Sequence, residues 1–255
     1  MKVINLSAIY TLWLREMKRF FRAKSRVVGS LGMPLFFLLF MGTGFSRARL
    51  PGIPVGVDYV DYLAPGIIGM ILLFGSMFAG ISVIWDRQFG FLKEVMVTPV
   101  SRTSIVLGRT AGGVTMALFQ GILILIAGMA MGLNTGFFNV LFSLIFMILI
   151  SAGFVGLGLA FASKMEDMHG FQLIMNFLIF PIFFLSGALF PITELPSVLI
   201  LLSYFNPLTY GVDALRRILI GTSQFPLSID ILALLGFCIS MIALGTYLFE
   251  KVEVD

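Results

Sequence analysis

Apolar and polar positions alternate along this chain in long blocks: greasy runs separated by short polar links. Six runs, at 27–45, 63–85, 104–132, 137–163, 171–190 and 231–249, approach or exceed the length a spanning helix needs. A hydrocarbon core of ~30 Å takes roughly 20 helical residues, so each run predicts a transmembrane helix. Ahead of the first, Leu6, Ile9, Tyr10, Trp13, Met17, Phe20 and Phe21 recur at helical spacing, while Arg15, Lys18, Arg19 and Arg22 fall on the opposite side. That division predicts an interfacial amphipathic helix over 5–22, lying in the headgroup layer as a belt that fixes the first span or as a sensor or docking surface, roles that do not exclude one another.

Two links contain helices too short to cross. Between the second and third runs, "DRQFGFLKEVMVTPVSR" predicts a helix over 87–97. Phe89, Leu92, Val95 and Met96 take one side, Arg87, Gly90, Phe91 and Glu94 the other, and Thr98-Pro99 stops it before Ser101 caps the next helix. Residues 191–230 are too apolar for a solvated loop, yet the apolar piece at 198–205 makes only ~12 Å of helix. A second piece is punctuated by Asn206 as cap, Pro207 at the first helical position and Gly221 just past the end. In it Leu208, Val212, Leu215 and Leu219 form a stripe, and Asp213 stands four residues before Arg217, the spacing of an ion pair. The reading is a re-entrant helical hairpin over 196–220 that dips into the outer leaflet and returns.

Composition confirms the solvent. With 59 % hydrophobic residues, 27 phenylalanines and a mean hydropathy of +1.04, the 255 residues carry more apolar surface than one soluble core could hide. The fold class is therefore all-α integral membrane: one domain over 1–255 with six transmembrane helices, the interfacial helix and the outer hairpin. Small residues at four-residue spacing, Gly128 and Gly132, then Ala152, Gly156 and Ala160, predict close helix contacts.

Charge then orients it. With the N-terminus inside, thirteen of the 17 Lys and Arg face inward, and Arg47, Arg49, Arg216 and Arg217 face outward. Both termini are expected in the cytoplasm of a multi-pass plasma (cell inner) membrane protein. Sorting by membrane side, at a net charge of only +4, argues against nucleic acid as a partner. Arg109 is the one charge inside a span; near the span's end, it is expected to snorkel to the headgroups. No secretory signal is legible at the N-terminus, which is expected to stay on the mature protein.

Several chemistries are excluded by what is missing. One cysteine, Cys238, and one histidine, His169, build neither a disulfide framework nor a His/Cys metal cluster. None of Lys2, Lys18, Lys24, Lys93, Lys164 and Lys251 follows a glycine, so the chain lacks the loop that wraps nucleotide phosphates. Mid-span polarity amounts to amides, including Gln120, Gln172 and Asn176, which disfavours coupling to protons or sodium. Gln172 and Asn176 serve as interhelical hydrogen-bonding groups or as polar residues of a pathway.

"DRQFGFLKEVMVTPVSRTSIVLGR" resembles the inner-loop motif of permease subunits of type-2 ATP-binding-cassette exporters, and "FNPLTYGVDALRRILIG" resembles their outer re-entrant segment, particularly in the daunorubicin-resistance (multidrug) branch. With the interfacial helix and six spans, the likeness covers essentially the whole chain. It implies that two permeases pair as a homodimer or heterodimer with two ATP-binding-cassette ATPase subunits. ATP and Mg would sit on those partners, leaving this chain with no cofactor of its own. The 87–97 segment becomes a coupling helix whose Arg87, Gly90, Phe91, Leu92, Lys93 and Glu94 meet the ATPase, flanked by Arg15, Lys18, Arg19 and Arg22. Pro191, Asn206, Pro207, Tyr210 and Asp213 match the outer gate, where prolines and caps are foremost structural. Relatives often carry Glu where Gln88 stands, and sometimes an acidic residue at or near Lys93, so some ion pairs to the ATPase differ here. The function implied is ATP-driven outward movement of an amphipathic or lipid-like compound in contact with membrane lipids. Alternatives are a non-transporting anchor or regulator that recruits an ATPase and, further off, an intramembrane enzyme.

Overall fold

The computed structural model describes residues 4–45, 51–54 and 56–251, and its regular elements are all helical. Of the outward cations, Arg47 and Arg49 lie outside the described residues, as does Lys2 among the inward ones.

Helix α1, Leu6–Arg22, is capped by Asn5, which accepts from the Ala8 N–H, and ends at Ala23. It is not suspended in lipid. Asn5 donates its N–H to Ser104, Trp13 donates to Thr115, and Phe20 and Phe21 pack edge-on against Phe119. The contacts advance together along both chains, so α1 follows the first half of α6, Arg102–Ala130. Gly108 and Gly112 permit this: a Cβ on Gly108 would stand 2.9 Å from the Leu12 Cβ, and one on Gly112 2.9 Å from the Glu16 Cβ. The apolar side of α1 is thereby split, with Leu12, Met17 and Phe20 buried and Leu6, Tyr10 and Phe21 exposed.

Helix α2, Lys24–Gly44, contains Pro34 and leads to the central rod: α3, Tyr59–Met77, a 3₁₀ turn at Phe78–Gly80, and α4, Ile81–Gln88. Leu63, Ile67, Ile68, Leu72 and Leu73 of α3 are wholly buried, because α2, α6, α7 (Phe137–Lys164), α8 (Met168–Phe184) and α10 (Pro207–Ile220) all pack on this helix. Where rod meets α7, backbone touches backbone: a Cβ on Gly80 would lie 2.5 Å from the Gly158 carbonyl oxygen, and one on Gly158 2.5 Å from that of Met77. In lipid, which rewards association through contact rather than burial of greasy surface, such approaches hold helices together. Gly156 does the same for α11, Leu227–Glu250, where a Cβ on it would lie 2.9 Å from the Met241 carbonyl carbon and from the Ile242 nitrogen. Gly132, by contrast, is no helix contact; α6 stops at Ala130, and Gly132 turns the chain at φ +123°.

Among the described residues, five helical stretches are long and apolar enough to cross a membrane, Val27–Gly44, Tyr59–Gln88, Arg102–Ala130, Phe137–Lys164 and Leu227–Phe249, or six if the bent pair Ser197–Tyr204 and Pro207–Ile220 counts as one span. The run expected to span over 171–190 is shorter. α8 has 17 residues and ends at Phe184; beyond it Ser186 donates to the Phe183 carbonyl and Gly187 takes φ +72°. Residues 185–190 read as membrane because Leu185, Ala188, Leu189 and Phe190 are apolar, but Ala188 and Leu189 are buried by protein. The hairpin expected on the outer side is α9, Ser197–Tyr204, and α10, bent by 84°. Asn206 caps α10, accepting from Leu208 and donating to the Ile182 carbonyl, with Pro207 first in the helix and Gly221 past its end at φ +77°. Asp213 does not pair with Arg217. The loop after Gly221 folds back and offers the N–H groups of Gln224 and Phe225, at 2.8 and 3.1 Å, and the carboxylate takes both. Arg217 donates instead to the Phe225 carbonyl.

Candidate functional site

The cap chemistry at the end of α4 builds the site. Gly90, at φ +77°, supplies a left-handed break between α4 and α5, Phe91–Val97. The predicted helix over 87–97 is therefore two pieces: Arg87 belongs to α4, and α5 begins at Phe91. Phe89, expected beside Leu92, is 77 % exposed because it lies in the break. Leu92 is fully buried, Val95 and Met96 pack on the core, and Lys93, Glu94 and Val97 face outward.

Directly behind this elbow sits Asp86, buried at the end of the rod. It accepts from Arg15 at 2.8 and 2.5 Å and from Arg109 at 2.7 Å, with Arg19 at 3.8 Å. Arg109 is thus not a snorkelling anchor. It is buried, and its partner is a carboxylate 23 positions earlier. A lone buried charge is expensive, so a satisfied pair marks a junction: three helices, α1, α4 and α6, meet on one side chain. Hydrogen bonding to Asp86 pushes Arg15 further above its ordinary value. Arg15 also lies 3.8 Å over the Phe91 ring, which ties α1 to α5.

The elbow's other side is held by the α7–α8 link. Arg87 donates to the Met165 carbonyl at 3.3 Å and lies 3.9 Å from Glu166, whose own carbonyl accepts from Gln88 at 3.0 Å. Asp167 caps α8, accepting from Gly170 and His169; those bonds hold its carboxyl below the usual carboxylate range.

The four basic residues predicted on α1 line one open groove of about 650 Å³, with Thr11, Leu14 and Ala23. A second cavity, of about 520 Å³, opens between α1, α2, the rod, α6 and α8; Gln172 lines it together with Gln120, Glu16 and Arg19, and Asn176 does not. At the opposite end, Pro191 is buried and opens a 3₁₀ turn, while the Tyr210 hydroxyl donates to the Tyr204 carbonyl at 2.7 Å. Arg216, counted as an outer-loop charge from the sequence, is buried there: it donates to the carbonyls of Tyr62 and Gly187 and stacks 3.7 Å from the Tyr62 ring. Its place in the helical register beside Leu215 and Leu219 is the signal that it faces inward.

The sequence that builds this exposed short helix, its buried ion pairs and the bundle of spans matches a known family. The family model for ABC-2 type transporters matches residues 7–220. The chain belongs to the ABC-2 type transporter family. The match takes in α1, the rod, the elbow and the hairpin, and makes the chain a multi-pass membrane permease rather than an enzyme. Relatives of this ABC-2 permease agree. It is 29 % identical over 223 residues to the ycf38 transport permease of Porphyra purpurea, covering 85 % of this chain and 75 % of that one. Nodulation protein J of Rhizobium leguminosarum bv. trifolii is 29 % identical over 201 residues, 78 % and 76 % of the two chains. The inner membrane transport permease YadH of Escherichia coli (strain K12) is 28 % identical over 229 residues, 86 % of each. Permeases of this family generally partner with ATPase subunits.

Proposed function

We propose that this permease is the membrane half of an ATP-driven exporter of amphipathic or lipid-like compounds. It works as a pair, homodimeric or heterodimeric, with two ATPase subunits that hold the ATP and Mg. The bundle end carrying α5 faces the cytoplasm, as the distribution of Lys and Arg favours, with both termini on that side of the plasma membrane. The observation that carries the reading is Asp86. The exposed face of α5, with Lys93 and Glu94, follows by seven and eight residues a carboxylate that binds α1 and α6 at once. A push on α5 by a closing ATPase pair passes into Phe91 and Leu92, through the elbow, and into helices that run the length of the bundle. On the far side, Asn206, Pro207, Tyr210 and Asp213 shape the hairpin that closes the exit.

The test is co-reconstitution with the partner ATPase in proteoliposomes. Gly90→Trp at the elbow and Glu94→Lys on the exposed face should each cut ATP-dependent movement of a fluorescent amphiphile by at least tenfold while the permease remains in the membrane. Full transport by both variants overturns the proposal. ATPase binding without any solute movement by the unaltered chain would support the anchor reading instead.

A further inference from the structure

The 520 Å³ cavity is walled mainly by apolar side chains, with Ser30, Ser82, Gln120 and Gln172 as uncharged polar members. Its charged members come from α1. Glu16 and Arg19, one helical turn apart, both line it, and both bring an unmet buried atom: Glu16 Oε1 and Arg19 Nη1 lack a hydrogen-bond partner. Their nearest opposite charges, Arg15 at 3.7 Å and Asp86 at 3.8 Å, lie beyond hydrogen-bond distance. One atom accepts and the other donates. Buried polar groups of this kind carry a desolvation cost that a ligand removes. Further in, Gln120 donates to Ser30 at 2.6 Å, and its carbonyl oxygen rests where a side chain on Gly75 would have to go. The remaining wall includes Met33, Met70, Phe74 and Met116. Thioethers yield to differently shaped chains at little cost.

The surrounding charges decide the head. Glu16 and Asp86 face Arg15, Arg19 and Arg109, an excess of one positive charge. A cation is therefore disfavoured, and a multiply charged anion finds too little compensation. A hydroxyl fits both unmet atoms, because it donates to a carboxylate and accepts from a guanidinium with the same oxygen. We propose that this cavity binds the polar head and first methylenes of an amphiphile, and that the head it selects is uncharged or singly anionic and bears hydroxyl groups. This deepens the exporter reading and rests on it for the direction of movement only.

The test uses the full chain in phosphatidylcholine nanodiscs and a dodecyl glucoside carrying a photoreactive diazirine in its chain. Labelling should map to peptides containing Met70, Phe74 and Met116, and excess plain dodecyl glucoside should suppress it. Dodecyltrimethylammonium, with the same chain, should compete at least tenfold more weakly, and methyl glucoside, with the head alone, should not compete. Glu16→Ala should weaken labelling about tenfold, the effect of one charge-assisted hydrogen bond. Met116→Trp, which fills the cavity and leaves the head site intact, should abolish it; unchanged melting temperatures establish that both variants fold. Equal competition by the ammonium amphiphile or by methyl glucoside, or labelling indifferent to both substitutions, overturns the proposal. Binding here without transport beside the ATPase would tell against export and leave the site standing, whereas transport with labelling spread over the lipid-facing helices would do the reverse.

Discussion

Arg109 Nη2 lies 2.7 Å from Asp86 Oδ2, and both side chains are almost completely removed from solvent. Removing the carboxylate leaves two buried or half-buried guanidinium groups and a third nearby without their counterion. Asp86→Ala should cost about 3–5 kcal/mol, the usual penalty for breaking a buried pair from one side. Asp86→Ala/Arg109→Ala should be far less damaging than the sum of the single changes. Thermal unfolding of the four variants in detergent measures this, and strict additivity would contradict the pairing.

Close packing of α1 on α6 sets the second expectation. Gly108 is met by the Leu12 Cβ at 2.9 Å and the Ile9 carbonyl at 3.0 Å, so any larger residue must lever α1 away. Gly108→Leu should destabilise by about 1–3 kcal/mol. It should also reduce disulfide cross-linking between cysteines introduced at Asn5 and Ser104, whose backbone N–H and hydroxyl are 2.9 Å apart. Gly44→Leu, where a Cβ meets nothing within 4 Å, is the control.

At the other end, Arg216 reaches two carbonyls on separate segments while its plane covers Tyr62. Lysine keeps the charge but has no flat fork, so Arg216→Lys should not rescue the site. Loss of about 1–3 kcal/mol is expected for both Arg216→Lys and Arg216→Met, read from melting temperature. Wild-type stability in the lysine variant would show that charge alone suffices.

Asp167 offers a pH dependence. The Gly170 and His169 N–H groups hold its folded-state pKa below the ordinary carboxylate value of ~3.9. The sign follows: its contribution is fully present above that ordinary value and is lost as pH falls through the folded-state value. The protection of amides at the start of α8 against hydrogen exchange, relative to their intrinsic rate at each pH, should fall on acidification in the unaltered chain. Asp167→Asn, an equally good cap that does not titrate, should remove this acid sensitivity while Asp167→Ala loses protection at every pH.

Much of the architecture was legible because a spanning helix announces itself by length and greasiness alone. Asn206, Pro207 and Gly221 punctuate α10 as their backbone chemistry dictates. The failures share one cause, which is that sequence shows what a residue avoids and not what it meets. Arg109 avoids lipid, and near the end of an apolar run that suggests headgroups; its real partner is on another helix. Ala188 and Leu189 avoid water, and protein satisfies them as well as a bilayer would. Asp213 had a cation at the right spacing, yet two backbone N–H groups from a loop with no pattern of its own took the carboxylate. Gly90 was visible as a glycine, but only its left-handed backbone shows that it splits the elbow into two helices.

The seat of Gly80 on Gly158 divides the rod unequally. From that point Asp86 is six residues away, about 9 Å, and Tyr59 is twenty-one, about 32 Å. Backbone meets backbone in that joint, so in the proposed exporter it would serve as a fulcrum, with a short arm toward α5 and a long arm toward the hairpin. Under the proposed coupling, a small stroke delivered at Asp86 would be magnified roughly threefold at Tyr59, by the ratio of those arms.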